Sequence, residues 1–183
     1  MTMKRIKAVS LAISVIMAMA TGCVITTGVE APDYTYTNEC FECEVTVEVV
    51  DAGEFDPAYP GFGVLVPIGW DADSVTYTGP NNGSMLYNAG ISSVLEDSFP
   101  SASWDHWIGF QSDSLVWESS VGDLYEVSVL IYTDDLIGTV NIAFLGLADS
   151  YFDGDPCSTT VEVVELNLEQ STWGSVKAQL GSQ

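Results

Sequence analysis

Glu44-Val45-Thr46-Val47-Glu48-Val49-Val50 alternates polar and apolar side chains, and Thr159-Thr160-Val161-Glu162-Val163-Val164-Glu165-Leu166 nearly repeats the pattern. A period of two puts one set of side chains on each face of a strand. Valine and threonine stiffen the backbone in that conformation. Between these segments the same period recurs at Ser74–Thr78 and Tyr125–Tyr132. Val64–Ile68 and Gly138–Leu147 are apolar without a break, as in strands covered on both faces. Turn signals separate them, the clearest being Gly79-Pro80-Asn81-Asn82-Gly83. Tyr125–Tyr132 and Gly138–Leu147, joined through Asp134-Asp135, are expected to form a hairpin. A helix is expected only as one turn within Ile91–Phe99. Eight or nine short strands in roughly 125 residues predict an all-β chain, a single antiparallel β-sandwich with one core.

Charge narrows the partners. Among 183 residues there are 26 acidic and four basic side chains. Three of the four, Lys4, Arg5 and Lys7, precede the apolar run Ala8–Met19, and no acid occurs before Glu30. A positive segment followed by a short apolar one is a secretory signal. It is shorter than the ~20 residues that span a bilayer. Beyond the leader, Lys177 alone opposes 26 carboxylates, a net charge of about −25. Such a chain has no arginine fork for phosphate and no basic patch for nucleic acid or anionic lipid. The only membrane contact expected is an N-terminal lipid anchor.

Ala20-Thr21-Gly22-Cys23 resembles the lipobox of bacterial lipoproteins, which implies lipidation of Cys23 and a place in the cell envelope or on the cell surface. The alternative is cleavage after Ala18-Met19-Ala20 and soluble secretion. The expected layout is a signal peptide over residues 1–22, a tether over 23–39, the sandwich over 40–168 and a C-terminal tail over 169–183. The alternation is similar in style to immunoglobulin-like and cohesin-like sandwiches. Cys43…Trp70…Cys157 has the residue types of the antibody-domain core, but Cys157 lies too far along the chain for that family.

Cys43 and Cys157 each precede one of the two matching strands. If the first and last strands run side by side in parallel, the pair is placed to form a disulfide. Cys40-Phe41-Glu42-Cys43 spells C-x-x-C but runs into a strand, unlike the helix start that redox motifs need.

Motifs for catalysis are sparse. His106 is the one histidine, and there is no G-x-S-x-G, H-E-x-x-H or phosphate loop. Asp149, Asp153 and Asp155 share a loop with Gly154, an oxygen-rich group that suits calcium. Trp104, Trp107 and Trp117 cluster in sequence and offer flat rings for a ligand, although a small sandwich also buries tryptophan in its core. The expected function is a non-catalytic surface binding or structural module whose partner is carbohydrate or another cell-surface protein. The alternative is a carbohydrate-binding or calcium-dependent adhesion module, and a hydrolase ranks third.

Overall fold

A computed structural model describes residues 24–50, 59–113, 120–149 and 151–165. Cys23, Trp117, the leader and the 169–183 tail lie outside the described residues. Ten strands and one helix follow in chain order: β1 (Val24–Glu30), β2 (Tyr34–Tyr36), β3 (Cys40–Val49), β4 (Pro60–Pro67), β5 (Asp71–Thr78), β6 (Gly83–Tyr87), α1 (Ala89–Ser98), β7 (Asp105–Gln111), β8 (Leu124–Tyr132), β9 (Gly138–Ala148) and β10 (Cys157–Val164).

The strands are ordered β1-β3-β8-β5-β6-β7-β4-β9-β10-β2 in one curled sheet. Its two halves face each other as the layers of a sandwich. β6 joins them: Gly83–Met85 pairs with β5, and Leu86–Tyr87 pairs with β7. On the other side the chain passes from β1, paired with β3, to β2, paired with β10. Both lateral openings are thus bridged, which limits exposed strand edges. Val45, Val47, Val127 and Val129 from one layer meet Phe62 and Phe144 from the other, whose rings stack at 6.1 Å.

Alternation is translated directly in β3 and β8, where apolar side chains turn inward and polar ones outward. β4 and β9 are buried almost throughout, because a second apolar cluster covers their outer faces. Helix α1 provides that cover with Ile91 and Leu95, one turn apart. Asn88 caps the helix, its side-chain oxygen accepting from the N–H groups of Gly90 and Ile91. The helix is ten residues long, more than the single turn expected from the sequence. It lies close because Gly63 and Gly109 sit opposite each other on β4 and β7. A Cβ on Gly63 would strike the Leu95 side chain, and one on Gly109 would strike the backbone of Ser92.

Three expectations are corrected. Residues read as a tether, Val24–Asn38, instead form β1 and β2 at the two margins of the sheet. β8 and β9 are not a hairpin, since β8 lies between β3 and β5 while β9 lies between β4 and β10. Cys43 and Cys157 are free thiols. The strand that runs parallel to β10 is β2, not β3. Counting antiparallel steps around the sheet, β3 and β10 run in opposite directions. β10 covers seven residue steps, about 23 Å, between Cys157 and Val164. Thr37, just before β3, bonds to the Val164 end. The two cysteines therefore sit toward opposite ends of different layers, beyond the ~7 Å that a disulfide spans between Cα atoms.

The packing of α1 is directly testable. Leu95→Ala should cost about 2–5 kcal/mol, and Gly63→Ala about 1–3 kcal/mol by overpacking. In the double variant the new methyl enters the space Leu95 leaves. Urea unfolding should therefore give a loss well below the sum of the two. Strict additivity would show that Gly63 and Leu95 are not in contact.

Candidate binding surface

The sandwich has two ends. At one, Val24 opposite Val49 begins β1, and the Asp153 N–H donates to the Val24 carbonyl. At the other, β4 ends at Pro67, β5 begins at Asp71, β7 begins at Asp105 and β8 ends at Tyr132. Loops 68–70, 99–104 and 133–137 meet at this second end.

Asp134 organises them. Its Oδ1 accepts from Trp70 Nε1 (3.1 Å) and from the Leu136 N–H (2.9 Å). Its backbone carbonyl accepts from the Asn38 N–H, and the Asn38 side chain donates to Asp135. Gly69 has φ +104°, and a Cβ there would collide with the Asp134 carboxylate, so the turn requires glycine. The Ile68 N–H donates to the Trp104 carbonyl at 2.8 Å, tying two of the loops together.

These bonds leave apolar side chains facing water. Trp104 is 70 % exposed, Ile68 61 %, Ile137 59 % and Leu136 43 %. Ile68, Trp104 and Leu136 line a groove of about 540 Å³, with Asp105 and Asp134 in its wall. The Asp105 carbonyl accepts from Ser101 Oγ at 3.1 Å, while its carboxylate has no hydrogen-bond partner among the described residues. Burial pushes the carboxyl above its usual value, with the neighbouring His106 pulling the other way.

Tryptophans expected together are separated. Trp107 is buried under α1 and donates through Nε1 to the Phe99 carbonyl at 2.8 Å. Only Trp104 of the described pair faces water, and Trp117 lies outside the described residues. The sequence reading missed Ile68, Leu136 and Ile137. Ile68, expected inside the covered strand Val64–Ile68, instead stands exposed just past the end of β4, while Leu136 and Ile137 are bulky apolar residues beside Asp135 in a segment that reads as a turn.

A second opening, about 780 Å³, lies where β5 and β7 separate beyond β6. Asp71, Asp73, Tyr87, His106 and Tyr132 line it. His106 Nδ1 is buried without a hydrogen-bond partner among the described residues. Asp149, expected as a calcium ligand, turns its Oδ1 to the Tyr59 N–H, and Asp153 turns its own to Gly154. Among the described residues no three carboxylate, histidine or cysteine side chains, Asp155 included, come together as a metal site.

No protein-family model matches the chain, and no curated protein matches it. Among solved structures it is similar to a cohesin module from a Clostridium perfringens family 33 glycoside hydrolase, at 13 % identity and TM-score 0.42, covering 79 % of this chain and 99 % of that one. It is also similar to the Corynebacterium diphtheriae major pilin SpaA, at 11 % identity and TM-score 0.47, over 74 % of this chain and 38 % of the pilin. A collagen-binding domain from a Staphylococcus aureus adhesin aligns at 8 % identity and TM-score 0.37, over 73 % and 95 %. The chain's own two strand layers make it a β-sandwich.

Two measurements check this geometry. Burial, with Glu42 adding to it, pushes the Cys43 thiol up to about 12, whereas Cys40 is exposed. Alkylation of the native protein at pH 8 should mark Cys40 and spare Cys43 until urea is added. A Cys43–Cys157 linked peptide under non-reducing conditions would contradict the strand directions. For Asp105 the folded-state carboxyl titrates above its unfolded value, so ionisation works against folding at neutral pH. Asp105→Asn should raise the melting temperature at pH 7. The gain should fade as pH drops through the raised value. A gain that persists well below the ordinary carboxylate range would point to packing instead.

Proposed function

We propose that this chain is an exported, lipid-anchored β-sandwich that acts as a non-catalytic binding module of the cell surface, with the Trp104 end as its binding face. The observation that carries the reading is the cluster of Trp104, Ile68, Leu136 and Ile137, exposed together on a protein whose surface is otherwise rich in carboxylates. Contiguous exposed apolar patches rimmed by polar groups mark interaction sites. The charged leader and Ala20–Cys23 support export and anchoring. β1 starts at Val24, one residue beyond Cys23, so an acyl chain there would tie down the Val24 end. The Trp104 end would then point away from the membrane.

Asp71, Asp73, Tyr87 and Tyr132 around the second opening favour one other reading, a carbohydrate site in which carboxylates accept sugar hydroxyls beside aromatic rings. Calcium-dependent adhesion through Asp149, Asp153 and Asp155 is weaker, since two of these carboxylates already serve the backbone of their own loops.

The test places a photo-crosslinking amino acid at position 104, and separately at Glu44 on the face of β3, in the full chain expressed in its own cells. Mass spectrometry of the N-terminus establishes whether Cys23 carries lipid. Adducts of one defined mass at position 104 and none at position 44 are expected. Equal adducts at both, or adducts at 44 alone, would remove the Trp104 end as the binding face. An unmodified N-terminus at Thr21 would remove the anchor and leave the face standing.

A further inference from the structure

The groove at the Trp104 end has a chemistry that selects among partners. Its floor and rim are apolar through Ile68, Trp104 and Leu136, yet two carboxylates stand in the wall. Asp134 uses Oδ1 for Trp70 and Leu136, and its Oδ2 takes no hydrogen bond from the described residues. The Asp105 carboxylate accepts none from the described residues, the Ser101 hydroxyl going to its backbone carbonyl. No lysine or arginine occurs among the described residues, and the one described base beside the pair, His106, does not outweigh the burial of Asp105. Burial already makes the Asp105 charge costly to hold, and a cation brought beside it would relieve that cost.

Other occupants fit less well. A second copy of the chain would bring the same strong negative charge, about −25 beyond the leader, against this one, and anionic lipid or nucleic acid would be repelled in the same way. A neutral sugar would find one ring only among the described residues that line the groove, that of Trp104. A cationic side chain can use everything present: the ring face of Trp104, two carboxylates and apolar walls for its own aliphatic stem.

We infer that the Trp104 face takes a basic polypeptide segment, with a lysine or arginine side chain laid on the Trp104 ring between Asp105 and Asp134 and apolar neighbours of that side chain resting on Ile68 and Leu136. The inference rests on the binding face proposed above and adds its partner class. The charge of the whole molecule would speed such an encounter, and the rate would fall with salt.

Two synthetic twelve-residue peptides test it, one alternating lysine and arginine with leucine, the other carrying glutamine at every basic position. Each is titrated into the full chain at low and high sodium chloride, with amide and indole signals followed by NMR. The basic peptide should shift Ile68, Trp104 and Leu136, and its affinity should drop about tenfold or more at high salt. Trp104→Ala should weaken it about tenfold, Asp105→Asn several-fold, and Glu44→Gln not at all. Trp104 and Asp105 are not core residues, so a cooperative melt, unchanged for Trp104→Ala and no lower than the parent's for Asp105→Asn, confirms that the variants are folded. Shifts spread evenly over the acidic surface, with Trp104→Ala binding as tightly as the parent, would overturn the inference. Equal binding of the uncharged peptide at Trp104 would overturn the cationic class while leaving the face intact. If neither peptide moves the Trp104 signal, the inference fails. The crosslinking at position 104 then decides separately whether the face fails with it.

Discussion

Helix α1 pressed onto the outer face of β4, β7 and β9 is the contact on which the shape of the working end depends. Leu65, Trp107, Leu145 and Leu147 make that face apolar, and an apolar sheet face left in water would be a liability. The paired glycines Gly63 and Gly109 lower the surface so that Ile91 and Leu95 can reach it. Once the helix is seated, Phe99 and Trp107 close its end through the Nε1 bond to the Phe99 carbonyl. The chain must then turn back into β7 within a few residues. Trp104 falls on that return, outside the buried cluster, and is pushed into solvent. One tryptophan is core and its neighbour three residues earlier is surface for the same reason.

Charge works on a longer scale. With no cation among the described residues, carboxylates cannot be paired off internally and must face water or accept backbone and side-chain N–H groups. Asp134 shows the second solution: it holds three loops in place by accepting from Trp70 and Leu136 and by its backbone bond to Asn38. The result is a stiff apolar platform edged with negative charge. Such a surface repels anionic groups and admits cationic ones.

Much of the fold could be seen in the chain because period-two alternation is a local signal. Val45, Val47 and Val49 on β3 and Val127, Val129 and Ile131 on β8 announce their faces without help from neighbours. Partnership is not local, and there the sequence misled. Tyr125–Tyr132 and Gly138–Leu147 are adjacent in sequence and look like a hairpin, yet each has both edges occupied by other strands. The supposed Cys43–Cys157 bridge failed on strand direction, which no single segment encodes. Val24–Glu30 reads as a tether because its alternation is broken, and the register of β1 with β3 indeed shifts between Thr26 and Gly28. Helix α1 was nearly silent: Gly90, Ser92 and Ser93 are weak helix formers, and only Asn88 and the Ile91–Leu95 spacing mark it. The working end is built from Ile68, Trp104, Asp134 and Leu136, drawn from three loops that only the fold brings together.

The central claim is that the end of the sandwich opposite Val24 does the binding. Hydrogen exchange of the protein displayed on its own cells, compared with the purified protein, tests it most directly. The account predicts added protection confined to residues 67–70, 103–105 and 133–139, with the exchange of β3 and β10 unchanged. Protection along β10 or β3, with the Trp104 loops exchanging as freely on the cell as in isolation, would contradict it.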